Sequence, residues 1–67
     1  MLADLTQDER DFAASGQGSS QIAAARHQFE QGEARKGAHA QRWSEAMQAD
    51  TIRKLAACHR WEETQNA

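Results

Sequence analysis

From Ser20 to Trp61 the chain contains no proline, and an apolar residue keeps returning to one side of a helix. At about 100° per residue, Ile22, Ala25, Phe29, Ala40, Trp43, Met47, Cys58 and Trp61 fall within an arc of roughly 60°. A helix buries such a stripe against a core or a partner. Leu55 lies at the edge of the stripe and Ile52 well off it. Glu33 and Lys36 occupy positions where apolar residues are expected.

The fold class that follows is all-α. The β-branched residues are only Ile22, Ile52, Thr6, Thr51 and Thr64, and tyrosine is absent. A buried sheet face needs β-branched and aromatic side chains, whereas the abundant Ala, Gln, Glu, Arg and Lys favour helix. The expected architecture is one domain over 1–67: a short helix over 6–15, a linker over 16–19, a long helical stretch over 20–62 and a frayed tail over 63–67. The short helix packs on the long one as a small bundle.

Thr6-Gln7-Asp8-Glu9 reads as a capping box, with Asp8 and Glu9 suited to the positive end of the helix dipole. Leu5 and Phe12 share a face. Gly16 and Gly18 end this helix and Ser19 or Ser20 caps the next. So short a link returns the first helix antiparallel to the second, where Phe12 meets Ile22 or Phe29. Gly32 and Gly37 weaken the long helix, each by about 1 kcal/mol relative to alanine. Residues 32–38 contain no Ser, Thr, Asp, Asn or Pro to start a new helix, so continuity is favoured over a turn near Gly37. Asp50 is a second place for a break. A restart there would give Ile52, Leu55, Ala56 and His59 a face of their own.

Sixty-seven residues carrying a net charge of −2 make a thin core. Chains below ~70–80 residues rarely balance burial against chain entropy with one core. Cys58 is alone and forms no disulfide within the chain. Self-association is the expected remedy, as a homodimer. Phe12, Ile22, Phe29, Met47 and Leu55 serve as core or self-association residues, with the seam running through Phe29, Trp43 and Met47.

Catalysis and cofactors are not expected. His27, His39, His59 and Cys58 lack the i, i+3 or i, i+4 spacing of a helical metal pair. Cys58, on the stripe, reads as a buried small hydrophobe. No nucleophile elbow, phosphate loop or HExxH motif is present. A basic leader and a membrane-length apolar run are absent from the sequence, which leads us to expect a cytoplasmic protein without membrane contact.

Arg35, Arg42, Arg53 and Arg60 fall within roughly 20° of one another on the same wheel, away from the apolar stripe. Such a stripe is a solvated face, a contact for an acidic protein surface, or a contact for nucleic acid. A net negative chain makes nucleic acid the less favoured partner. With Trp43 and Trp61, of the residue types enriched at interface hot spots, these arginines form the expected partner-binding set. The functional expectation is a small helical interaction protein, a stoichiometric regulator or inhibitor of a larger protein, such as a bacterial, phage or prophage accessory protein. A nucleic-acid-binding regulator and a structural self-associating subunit are the alternatives.

Overall fold

In the computed structural model, which describes residues 4–66, the expected capping box opens the first helix, α1 (Gln7–Ala14). The Thr6 hydroxyl accepts from the Glu9 backbone N–H at 3.2 Å, and the Glu9 carboxylate accepts from the Thr6 N–H at 2.9 Å. This reciprocity explains why Glu9 is buried although charged. At eight residues α1 is too short to persist alone, so its stability comes from packing. Its main neighbour is the third helix.

Gly16, at φ +77°, ends α1, and α2 (Ser19–Ala34) follows after a tight turn. Neither Ser19 nor Ser20 caps α2. The cap position is Gly18, and the Ser19 hydroxyl donates back to the Gly16 carbonyl at 2.6 Å. Gly18 is there for space. A Cβ on it would stand 2.7 Å from Phe12 Cε1 and 3.3 Å from Leu55 Cδ1, so only glycine lets the turn lie flat on both.

The expected continuous helix over 20–62 does not form. α2 stops at Ala34, a single 3-10 turn occupies Gly37–His39, residues 40–44 are irregular, and α3 (Glu45–Asn66) begins beyond them. Gly37 sits at φ +74°, in the left-handed region that breaks a helix. The new helix is started by Ser44, beyond the 32–38 window. Its Oγ accepts from the Met47 N–H at 3.2 Å and its carbonyl from the Gln48 N–H at 3.1 Å. No break occurs at Asp50, which lies inside α3. The helix also extends through Asn66, in place of the frayed tail expected from 63 onward.

α3 is the centre of the fold: α1 and α2 both pack on it. Its buried face is Ala49, Ile52 and Ala56, at i, i+3 and i+7, and Leu5 completes the buried apolar set. Phe12, Ala13 and Ile22 pack against it half-buried. Ile52, off the expected stripe, is the most deeply buried large side chain, 1% exposed. The stripe itself is divided. Ile22, Phe29, Trp43 and Met47 are half-buried, whereas Ala40, Cys58 and Trp61 are exposed. A wheel of constant phase cannot survive the interruption between Ala34 and Glu45.

The result is a thin slab, 48 × 24 × 15 Å, with a radius of gyration of 13.7 Å. A compact chain of this length has about 11 Å. Its accessible surface is 5168 Å², against about 4,250 Å² for a compact monomer of this mass. The chain therefore exposes roughly 900 Å² more than a closed bundle would.

Candidate functional site

The best-defined irregular feature is the elbow between α2 and α3, residues 35–44. Its shape is held at three points. First, Glu33 in the last turn of α2 is 8% exposed, and its carboxylate takes Lys36 Nζ at 2.9 Å and the Gln41 backbone N–H at 2.7 Å. The lysine and then the Gln41 N–H hold its pKa below the ordinary carboxylate value, against the opposing effect of burial. Second, Trp43 packs on Phe29 in an edge-to-face contact, centroids 5.7 Å apart. This geometry is favourable for aromatic pairs. Third, Ser44 fixes the start of α3.

The elbow is basic. Between Ala34 and Ser44 it carries Arg35, Lys36, His39 and Arg42 and no acidic residue. Lys36 is tied to Glu33, while Arg35 and Arg42 are exposed and have no ion-pair partner among the described residues. Asp8, Glu9 and Asp11 lie together on α1. Glu30 and Glu33 of α2 line the same cavity as Arg42 and Trp43, so the basic elbow is bordered by carboxylates.

The four-arginine stripe does not form. Arg35 stands at the C-terminal cap of α2 and Arg42 in irregular chain, so their seven-residue spacing no longer sets a shared helix face. Arg53 and Arg60 lie on α3. Arg53 is half-buried and bonded to Asp50 at 2.6 Å, and Arg60 is exposed. Of the expected partner-binding set, Arg35, Arg42 and Trp43 fall in the elbow segment, where Arg42 and Trp43 line one cavity and Arg35 stands at the end of α2, while Arg53, Arg60 and Trp61 lie on α3. Of the expected seam, Phe29 and Trp43 meet within one chain. Phe12 lies beside His59, ring centroids 5.6 Å apart, and Phe29 takes Trp43 as its aromatic partner. Cys58 is exposed, not buried: the phase of α3 turns it away from the core.

Lys36 and His39 belong to the elbow and Glu33 holds it from the last turn of α2, and sequence reasoning does not place them in a site. The available signal is Glu33, a carboxylate where the stripe calls for an apolar side chain. An open groove between α1 and α3 is lined by Asp8, Asp11, Phe12, His59, Arg60 and Glu63. Its His59 is paired with Glu63 at 2.9 Å, and the Ser15 hydroxyl on its rim donates to the Phe12 carbonyl at 2.7 Å. No group of three or more His, Cys, Asp or Glu among the described residues is placed to hold a metal ion. No helix among them is long and apolar enough to cross a membrane.

No protein-family model matches the chain, and no curated protein or solved structure matches it either.

Proposed function

We propose that this protein is a small helical interaction module that acts by binding, without catalysis, as a stoichiometric regulator of a larger protein. The basic elbow is its contact surface. One observation carries the reading: the elbow is clamped into one shape by the buried Glu33 carboxylate, while Arg35 and Arg42 on it are exposed and without an ion-pair partner among the described residues. An irregular segment fixed by a helical scaffold is where binding residues concentrate. A clamped loop also loses little entropy on binding, so its contacts are less offset by ordering. Arginine suits this role because its planar fork can engage a carboxylate with two parallel hydrogen bonds. The partner surface is accordingly acidic.

A protein is favoured over nucleic acid because the chain as a whole is negative, with a net charge of −2. Polyanion binding rests on a surplus of positive charge and weakens steeply with salt. A protein surface can arrange its own charges to match a small basic patch.

The test compares the native chain with an Arg35→Glu/Arg42→Glu variant of unchanged helicity and melting temperature. Each is immobilised and exposed to host lysate, and retained proteins are identified by mass spectrometry. A protein held by the native chain and lost by the variant supports the reading. Labelled duplex DNA, single-stranded DNA and RNA are titrated in parallel. Submicromolar, strongly salt-dependent binding that the variant loses, with no protein retained, would replace this reading with the nucleic-acid one.

A further inference from the structure

α3 is covered along one side only. Ala49, Ile52 and Ala56 face α1 and α2. Almost opposite, Asp50, Lys54, Ala57, Cys58 and Trp61 occupy an arc of about 100°, and all five are exposed. Trp61 is 64% exposed, the one large hydrophobic side chain so placed among the described residues. Its neighbours one turn back are the small Ala57 and Cys58, so the indole stands over a shallow apolar shelf. The face thus combines a large anchor, small residues beside it, and one charge of each sign.

We propose that a second copy of this chain covers the face, with the two α3 helices packed antiparallel about a two-fold axis at the level of Ile52. The charges select this register. Asp50 and Lys54 lie symmetrically about position 52. In an antiparallel pair each Lys54 therefore meets Asp50 of the other copy, twice per dimer. Lys54 has no ion-pair partner among the described residues. The Asp50 side chain is 64% exposed beyond its bond to Arg53. The same register sets Ala57 and Cys58 opposite Met47 and Ala46. Helical side chains lean toward the N-terminus of their own helix. This tilt carries the Trp61 indole over Ala46 and Met47 of the second copy. Met47 is half-buried within one chain and Ala46 exposed, so both have surface left to cover.

The chain as a whole, not this face alone, exposes roughly 900 Å² beyond a compact monomer, which is on the order of the about 800 Å² per partner that a stable interface removes. The elbow arginines Arg35 and Arg42 lie outside the α3 face, although position 43 of the second copy stands at the level of Trp61. The two contacts are therefore separated by substitutions at Arg35 and Arg42 on one side and at Asp50, Lys54 and Trp61 on the other. Loss of elbow binding with the dimer intact refutes only the function proposed above, and a monomer that still binds through its elbow refutes only the dimer.

The experiment is sedimentation velocity and light scattering from about 1 to about 100 micromolar (concentrations on the order of a typical weak dimer's Kd), under reducing conditions, with circular dichroism to verify folding. The native chain is expected to reach dimer mass. Trp61→Ala is expected to weaken dimerisation by at least about tenfold. Asp50→Lys and Lys54→Asp are each expected to be monomeric alone, because each places like charges opposite one another. Mixed together they should form a heterodimer, since positions 50 and 54 are then both positive in one chain and both negative in the other. A native chain that stays monomeric at the highest of these concentrations overturns the proposal. So does a dimer indifferent to Trp61→Ala, or charge variants that fold but do not pair when mixed.

Discussion

Gly37→Ala should destabilise the protein, although nothing stands near the added methyl. A Cβ at Gly37 meets no atom within 4 Å, so packing contributes no cost. The backbone does, because φ is +74°. An L-residue in the left-handed region loses about 1–2 kcal/mol. Removing glycine's freedom from the unfolded chain returns about 0.4–1 kcal/mol. The net loss is about 0–1.6 kcal/mol with a central value of about 0.8, and that central value lowers the melting temperature by roughly 3–6 °C for a chain of this size. Two controls isolate the cause. Gly32 lies inside α2 and its Cβ also meets nothing within 4 Å, so Gly32→Ala should stabilise by up to about 1 kcal/mol. D-alanine at position 37, introduced by chemical synthesis, accepts positive φ and should stabilise as well. All variants are melted by circular dichroism at one protein concentration, since association would shift the midpoint. A Gly37→Ala midpoint that rises together with Gly32→Ala would mean that α2 continues through residue 37, and the elbow would have to be abandoned.

Gly18→Ala should destabilise by about 1–3 kcal/mol, the usual cost of overpacking, because the new Cβ would stand 2.7 Å from Phe12 Cε1; an unchanged denaturation midpoint would show that the turn does not rest on Phe12. Trp43→Ala should cost roughly 2 kcal/mol, less than the 3–5 of a fully buried aromatic, since Trp43 is half-buried against Phe29; chemical denaturation measures it. Glu33 sets a pH dependence. Its folded pKa is depressed below 4.5, so its stabilisation is complete above that value and is lost as pH falls through the folded pKa. The melting-temperature gap between the native chain and Glu33→Gln should therefore narrow below pH 4.5, and a gap constant from pH 7 to 3 (roughly the span across a carboxylate titration) would refute the clamp.

What can be read from the residues is whatever depends on short range. The all-α class follows from the scarcity of β-branched side chains, and the Thr6–Glu9 capping box needs only four consecutive residues to form. What fails is a phase carried over distance. The wheel assumes that residue 61 keeps the rotation set at residue 22, and the turn at Gly37 resets it. The four arginines assigned to one face and Ile52 left off the stripe share that cause, whereas the expected Ser19 or Ser20 cap and the frayed tail from 63 onward fail for local reasons. Within α3 alone two sides compete, Ala49, Ile52 and Ala56 on one and Met47, Cys58 and Trp61 on another, and the structure buries the first.

Two misfits carry the correction. Ile52 off the stripe signals that a second phase exists. Glu33 on the stripe signals where the first one ends, because a carboxylate facing inward needs N–H donors, and the following irregular chain is their source. The donor it finds is Gln41 N–H, eight residues on. Locating the restart then requires looking past the break itself. Gly37 ends the helical geometry, but Ser44 begins it again, and the chain between is long enough to carry Arg35 and Arg42 out of any helix face. The residue that spoils the amphipathic pattern is thus the one that shapes the elbow. A buried charge at the end of an apolar stripe is, on this reasoning, a marker for a chain reversal that it stabilises.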